Sequence, residues 1–496
     1  MIKMTKTLIV SEKNIAARRL AQLLGGSYKA EKAGSVDIYR FQLDGQQCTA
    51  VGLKGHILKV DFPVNYANWQ EVDPADLINA QIVKVPTQKA IINTLKKQAK
   101  EADEVIIATD FDREGELIGV DAVNQIRQVK ELPVKRARFS ALTKEEIEKA
   151  FSHLESIYYN LAQAGEARQD IDLIWGATLT RFLSLASTRL GKNFLSVGRV
   201  QSPTLWLIVA REKEREAFVT QTYWQLKIVF EHLGQEFAAS HKTERFWSKE
   251  EVEKVLSKLG DKGEVIAVKT TKRTVEPPAP FNTTGFLAAA ASLGFSPAKA
   301  MNIAETLYMN GFISYPRVDN TVYPESLGLR DILATISASD VVGDLAKEIV
   351  QQKELKPTRG KKKTTDHPPI HPTGVAKKEQ LSPQEWKVYE LVARRFLATL
   401  APPAQVESKR IDIDVNGEPF FLRGSVVKQA GWQRYYPYGL HNEEQLPDLA
   451  KGDVVKVVAP KVEEKQTQPP ARYSQGTLIQ KMEELGLGTK ATRHAI

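Results

Sequence analysis

The chain has 496 residues, 42% of them hydrophobic and 26% charged, which is a length for several domains and a composition for a globular protein. Lys and Arg number 69 against 60 Asp and Glu, and the net charge of +9 suits a polyanionic partner such as nucleic acid. A single cysteine, Cys48, excludes intrachain disulfides and multi-cysteine zinc sites, and no apolar run is long enough to predict a membrane span.

Met1 to Lys6 lead into Thr7-Leu8-Ile9-Val10, a short apolar strand and not a signal peptide. Ser11-Glu12-Lys13-Asn14 then opens a helix carrying Ala16, Leu20 and Leu23. Glu104 to Thr109 repeats the buried-strand pattern and ends in Asp110-Phe111-Asp112-Arg113-Glu114-Gly115-Glu116 before another helix. Apolar runs alternating with helices predict a parallel sheet with helices on both faces, whose site forms at the carboxyl ends of the strands. Glu12 and the acidic cluster both fall there. Asp110, Asp112 and Glu114 are spaced two apart, so an extended segment would turn all three carboxylates to one side. Hard oxygen ligands at that density suit Mg2+, with Glu12 as a fourth acid; a solvated acidic turn is the plainer alternative.

From about residue 145 the pattern is helical. In the segment Leu195 to Trp206, Arg199, Gln201, Ser202 and Thr204 are residue types that hold phosphates, although an ordinary capped helix pair has the same spacing. Tyr223 to Phe230, Glu264 to Val268 and residues 410–427 read as strands, the last with a hairpin at Asn416-Gly417. They flank the largely helical residues 281–400. The helical part is therefore expected as an insertion into a β domain, on two linkers, and suited to hinged movement. Within it, Ser296-Pro297 starts a helix whose apolar face is Ala300, Ile303, Ala304 and Leu307, and Gly311 stops it.

Gly311-Phe312-Ile313-Ser314-Tyr315-Pro316-Arg317-Val318-Asp319 follows at once. Pro316 keeps Tyr315 out of helical conformation. Extended chain would then set the Tyr315 phenol beside the Arg317 guanidinium. Such a cation stabilises a phenolate nucleophile and also matches a phosphate. A buried Tyr at a strand end with a surface Arg is the bland alternative. Lys356 to Lys363 is a basic loop that would favour nearby DNA, and His367 in the run Asp366 to Thr373 suits a proton carrier or phosphate contact held by Asp366, with a structural histidine as competitor. Neither Gly191-Lys192 nor Gly360-Lys361 completes a phosphate-binding loop, so ATP-driven chemistry has no support. The last residues, Leu485 to Ile496, end as a helical pattern begins, which reads as a chain cut short.

Taken in order, these motifs resemble type IA DNA topoisomerases, most closely the topoisomerase III-like and archaeal members. Ser11-Glu12-Lys13 and the DxDxEGE run are similar to the family's Toprim domain. Arg136 to Thr143, Ser196 to Trp206, Pro277 to Phe281, Ile313 to Asp319, Asp366 to Thr373 and Arg472-Tyr473 to Arg493 are family-like too. The resemblance implies a toroid of a parallel α/β Toprim domain, helical domains and a β arch. It places Toprim at 1–150, a helical DNA-groove domain at 151–218 and again at 463–496, the arch at 219–278 and 401–462, and the helical domain with the nucleophile at 279–400. It implies Tyr315 as nucleophile, Arg317 and Lys13 at the scissile phosphate, and Glu12 as proton donor. Asp110, Asp112 and Glu114, with Glu12, would hold Mg2+. Arg168, Asp172 and His367 would orient DNA, with Arg199, Gln201, Ser202 and Arg472 as further contacts. The implied protein is an ATP-independent, cytoplasmic, nucleoid-associated monomer acting on single-stranded and negatively supercoiled DNA. Val318 stands where many relatives have Thr, removing a hydroxyl near the site. Two other classes share part of this pattern: a Toprim nuclease or primase, which needs no Tyr315-Pro316-Arg317, and a DNA-binding fragment without catalysis.

Overall fold

The computed structural model describes residues 5–440 and 443–495; Met1 to Met4 and Ile496, on which the terminal readings partly rest, lie outside the described residues. The N-terminal domain is built on β1 (Lys6–Ser11), β2 (Lys29–Ala33), β3 (Val36–Leu43) and β4 (Gln46–Gly52), a separate pair β5 (Leu58–Asp61) and β6 (Val83–Pro86), then β7 (Glu104–Ala108) and β8 (Val134–Arg136). The main sheet runs β2-β3-β4-β1-β7-β8. β1 is central and its alternate side chains feed two cores. Ile9 packs with Ala17 and Leu20 of the helix Asn14–Gly25, while Leu8 and Val10 pack with Ile92, Leu95 and Ile118 of the helices Lys89–Glu101 and Arg113–Arg127.

The sheet is mixed, not parallel throughout. β4, β1, β7 and β8 are parallel, but β2, β3 and β4 form an antiparallel meander. The cause is local. Asp44 and Gly45 join β3 to β4 with φ of 49° and 77°, the mirror-image turn that matches strand twist and forces a hairpin.

The predicted β segments close into one barrel. β9 (Thr222–His232), β10 (Gln235–His241), β11 (Lys262–Val275), β12 (Ala404–Val415), β13 (Glu418–Gln429) and β14 (Val454–Gln466) run in the order β10-β13-β12-β11-β14-β9 around a core that includes Ile228, Phe230, Ile411, Ile413 and Phe420. The hairpin at Asn416-Gly417 joins β12 to β13, with φ of 53° and 87°. β11 and β12 pair antiparallel from Glu264↔Asp414 to Val275↔Ala404. The chain therefore leaves and re-enters the barrel at adjacent residues.

The insertion between them carries the helices Thr283–Ser292, Pro297–Met309, Leu329–Ile336, Gly343–Val350 and Pro383–Leu400, and the last is its core, with Val388, Leu391, Val392, Phe396 and Leu397 fully buried. The helices Tyr159–Ala186 and Gln201–Glu216 connect the N-terminal domain to the barrel. The C-terminal helix Gln475–Glu484 returns against them, with Met482 beside Thr204, and also reaches the insertion, where Asn282 donates to Glu483 at 3.2 Å. The insertion docks back on the N-terminal domain, so the whole is a ring whose last junction is non-covalent. Among the described residues no helix is long and apolar enough to cross a membrane.

One turn positions the key segment. Helix Pro297–Met309 starts on Ser296, whose hydroxyl accepts from Lys299 N at 3.3 Å, and ends with Gly311 at φ 76°. Gly311 N–H donates to Tyr308 O and Phe312 N–H to Leu307 O, both at 2.9 Å, which is the Schellman arrangement. A Cβ at Gly311 would lie 2.8 Å from Leu142 O, on the N-terminal domain. Gly311→Ala is expected to cost at least about 1–2 kcal/mol from the positive φ alone, seen as a lower denaturant midpoint with an unchanged slope.

Candidate active site

Beyond Gly311 the chain runs extended, as Pro316 requires. Ser314 N–H donates to His371 O and Tyr315 N–H crosses the junction to Ser140 O, both at 2.9 Å. Tyr315 is buried, 4% exposed, and its hydroxyl donates to Asp112 Oδ2 at 2.7 Å. The ring of Tyr308 packs edge-on against it at 5.3 Å, and Tyr308 donates to Asp110 Oδ1 at 3.0 Å. Two phenols of the insertion thus meet two carboxylates at the end of β7.

The acidic loop owes its shape to the helix behind it. Asp112 caps the helix Arg113–Arg127 by accepting from Gly115 N at 2.9 Å. A Cβ on Gly115 would stand 2.0 Å from Asp110 O, so only glycine closes this turn. The buried Arg136 donates to Glu116 at 2.7 Å and to Asp110 O at 3.0 Å, bracing the loop from beneath. Because the helix starts at Arg113, the segment does not stay extended, and this corrects the expectation of three co-facing carboxylates. Glu114 turns away. Its oxygens accept from Arg168 at 2.5 Å and lie 3.0 Å from His56 Nε2. Glu12, Asp110 and Asp112 remain mutually close.

Charge at the site is set by burial and by these neighbours. Burial, then Asp110, pushes the Glu12 carboxyl well above the carboxylate range. Burial, then Asp112, pushes Asp110 up to about 6. Burial also works against Asp112, but the Gly115 N–H and the Tyr315 hydroxyl hold it below its ordinary value. The Tyr315 phenol is pushed well above its usual range by burial, then by Asp112 and Asp110, and Arg317 only partly offsets them. Tyr315 is therefore held as a protonated phenol, not the guanidinium-stabilised phenolate that sequence spacing suggested.

Arg317 is near Tyr315 but its hydrogen bond goes elsewhere. Glu305, on the helix Pro297–Met309, accepts from Arg317 through Oε1 and from Lys13 Nζ through Oε2, the latter at 3.1 Å. Arg317 Nε is buried without a partner among the described residues. Glu305 and Tyr308 were not found from sequence; the signal available was a Glu and a Tyr three apart on the helix that delivers Tyr315. Where Val318 omits a hydroxyl, Thr283 supplies one: Val318 N–H donates to its Oγ1 at 2.8 Å, and that hydroxyl lies 2.9 Å from Pro316 O.

His367 is buried, not a surface contact. Its Nε2 faces Phe111 O and its Nδ1 faces Ser140 Oγ, both at 2.9 Å, and its ring lies 4.7 Å from that of Tyr315. A carbonyl can only accept, so Nε2 carries the proton and Nδ1 accepts from Ser140. Burial, then Lys490, lowers its pKa to about 4, so it is neutral. Asp366 does not hold it: that carboxylate pairs with Lys490 and Thr364.

The expected DNA contacts line the helices beside the acidic loop. Arg168 links Glu114 to Asp172, and Asp172 in turn accepts from Arg199. Asp172 thereby orients two arginines. Gln201 and Ser202 begin the helix Gln201–Glu216, where Ser202 Oγ accepts from Gly198 N at 3.3 Å. Arg472 lies apart and is held by both oxygens of Glu212, at 2.8 and 2.9 Å. Trp175 and Trp206 are more than half exposed on these helices. A cavity of about 730 Å³ is here as well, lined by Trp69, Asp172, Thr180 and Phe194. A smaller one, about 180 Å³, adjoins Asp112, Glu114, Arg168 and Lys490.

Among the described residues no three His, Cys, Asp or Glu side chains are gathered to hold a metal as they stand. The donor chemistry of Glu12, Asp110 and Asp112 nevertheless fits Mg2+: hard oxygens, buried together, whose mutual repulsion is only partly relieved by the Tyr308 and Tyr315 phenols, the Gly115 N–H and the Lys13 and Lys490 ammonium groups.

A tyrosine seated on the acidic sheet end of an α/β domain, with two cations alongside, defines a nucleophilic phosphoryl-transfer enzyme. Residues 7–142 match the Toprim domain and residues 156–496 match a DNA topoisomerase family. The chain is 48% identical over 490 residues to DNA topoisomerase 1 of Archaeoglobus fulgidus, covering 99% of this chain and 72% of that protein. It is 42% identical to DNA topoisomerase 1 of Thermoplasma acidophilum, over 99% of this chain and 63% of that one. The structure of full-length topoisomerase I from Thermotoga maritima is similar, with a TM-score of 0.75 and 27% identity over 98% of this chain and 77% of that chain. The chain belongs to the type IA DNA topoisomerase family. It spans between 63% and 73% of the five archaeal relatives.

The raised Glu12 and Asp110 carboxyls contribute stability below their ordinary pKa that is lost as pH rises through the folded value. In metal-free buffer the chain is expected to lose on the order of 3 kcal/mol between about pH 4 and pH 8 from Asp110 alone. Glu12→Gln, which relieves the repulsion, should flatten that slope in melting temperature against pH.

Proposed function

We propose that Tyr315 opens a phosphodiester of single-stranded DNA, passes a second strand through the break and reseals it, without ATP. The observation that carries this reading is the Tyr315 phenol lodged 2.7 Å from Asp112 at the acidic sheet end, beside an arginine whose Nε has no partner. In the forward step the Tyr315 oxygen forms a bond to phosphorus and the bond from phosphorus to the 3′ oxygen breaks. Asp112 is the acceptor at hand for the phenol proton. Glu12, held protonated by burial and Asp110, supplies a proton to the leaving 3′ oxygen. Arg317 and Lys13 meet charge on the phosphoryl oxygens. The product is a 5′-phosphotyrosyl protein and a free 3′-hydroxyl. One phosphodiester replaces another, so the reverse step needs no added energy.

Glu12, Asp110 and Asp112 would hold Mg2+; Glu114 joins them only by leaving Arg168 and His56. Bound there, the cation supplies positive charge that keeps the broken ends aligned for rejoining. Residues 1–150 act as the Toprim domain, 279–400 as the part that swings, 219–278 with 401–462 as the arch, and 151–218 with 463–496 as the groove. Arg168 and Arg199, oriented by Asp172, contact the backbone there, and Ser202 and Gln201 add donors. Exposed Trp175 and Trp206 suit stacking of unpaired bases, as does the cavity flanked by Trp69 and Phe194. His367 and Arg472 take part only if they leave Ser140 and Glu212. Negatively supercoiled DNA, which exposes single strands, is the natural substrate, and a monomer suffices.

The test uses a single-stranded oligonucleotide labelled at either end and resolved on a denaturing gel. Wild type is expected to carry the 3′-labelled fragment on protein, and Tyr315→Phe to carry none; label on the 5′ fragment instead would overturn the assigned linkage. Arg317→Ala should lower adduct by about 10²–10³-fold. Removing divalent metal should leave adduct formation largely intact and abolish rejoining on salt addition; equal loss of both would refute the role given to Mg2+.

A further inference from the structure

Glu305 is a half-buried carboxylate with no counterpart among the expected catalytic groups. Each of its oxygens takes one cation: Oε1 accepts from Arg317 of the insertion and Oε2 from Lys13 of the N-terminal domain, at 3.1 Å for the latter. This is the way two non-bridging oxygens of a phosphodiester engage two cations. The interaction is electrostatically substantial. Burial works against ionisation of Glu305, yet Arg317 and Lys13 hold it below the usual carboxylate range. Burial lowers Lys13, but Glu305, Glu12 and Asp110 together hold it above its ordinary value. Two polar atoms beside the triad are buried without a partner among the described residues, Arg317 Nε and His494 Nδ1. His494 feels both Arg317 and Glu305. The triad therefore leaves hydrogen-bonding capacity unused at a place already arranged for an anion.

We propose that Glu305 is an internal substitute for the scissile phosphate: it occupies Arg317 and Lys13 in the DNA-free chain, and the DNA backbone binds by displacing it. This keeps the two cations, which come from opposite sides of the junction, aligned before DNA arrives. It also lowers affinity, since each phosphate entering the site must compete with a resident carboxylate. Glu305 is thus a positioning residue that trades binding strength for a prearranged cation pair. The inference deepens the reading of Tyr315, Arg317 and Lys13 as the cleavage site and rests on it.

Binding of a short single-stranded oligonucleotide is measured in the Tyr315→Phe chain, which cannot form an adduct. Glu305→Gln, isosteric and neutral, is expected to tighten binding on the order of tenfold. Glu305→Asp, which keeps the charge, should stay within about twofold of the parent, and melting temperatures confirm that both variants are folded. In an Arg317→Met background the tightening by Glu305→Gln should shrink to less than about twofold, because the occupied cation is gone. Unchanged or weaker binding by Glu305→Gln overturns the proposal, as does tightening that persists without Arg317, which would mark a general charge effect. Absence of adduct with the wild-type chain is a separate result and counts against the cleavage reading itself.

Discussion

The hydrogen bond from the Tyr315 hydroxyl to Asp112 joins two parts of the chain that are 203 residues apart in sequence. Around it the insertion seats itself on the N-terminal domain. Tyr308 reaches Asp110, His367 reaches Phe111 and Ser140, Lys13 reaches Glu305, and Arg138 donates to the carbonyl of Thr365. Beneath these polar links lies continuous apolar packing of Ala137, Phe139 and Leu142 against Met301, Leu307 and Ile313. Such a junction is specific without being strong. Buried hydrogen bonds contribute modestly when made and cost more when a partner is left unsatisfied, so the joint favours being wholly shut or wholly apart.

The same bond bears on the state of the phenol. Buried carboxylates surround the phenol and keep its proton on, and the cations that would stabilise a phenolate are engaged by Glu305. In the DNA-free chain, the groups given catalytic roles in the proposed reaction are thus mostly engaged with other protein groups.

Much of this was legible in the sequence. β1, β7, the helix from Ser296 to its glycine stop, the insertion between paired β segments and the Asn416-Gly417 hairpin each have a local cause that a short window contains. The site was legible where chemistry clusters in one segment: Tyr315 with Arg317, and Asp110 with Asp112. It was not legible where it depends on what faces a segment from elsewhere. Glu305 and Tyr308 look like ordinary helix positions until Lys13 and Asp110 are brought across the junction. Glu114 was misread because the cap at Asp112 ends the extended stretch one residue too soon. The antiparallel edge of the sheet lies outside the apolar runs and helices that predicted a parallel sheet, and its signal is the Asp44-Gly45 turn. His367 was read as held by Asp366, the nearest carboxylate in sequence, whereas its partners Phe111 and Ser140 come from the N-terminal domain.

The pairing of Val275 with Ala404 places both attachments of the insertion on one rung at the end of the β11-β12-β13 ribbon. A body hung from two distant points can only stretch or shear; one hung from a single ribbon can pivot. Twisting or bending that ribbon by a modest angle sweeps the far end of the insertion, where Tyr315 sits, through a much larger arc. If the insertion swings as proposed, the barrel is the anchored end of a lever whose fulcrum is the paired residues 270–275 and 404–409, and their stiffness bears on how readily the ring opens.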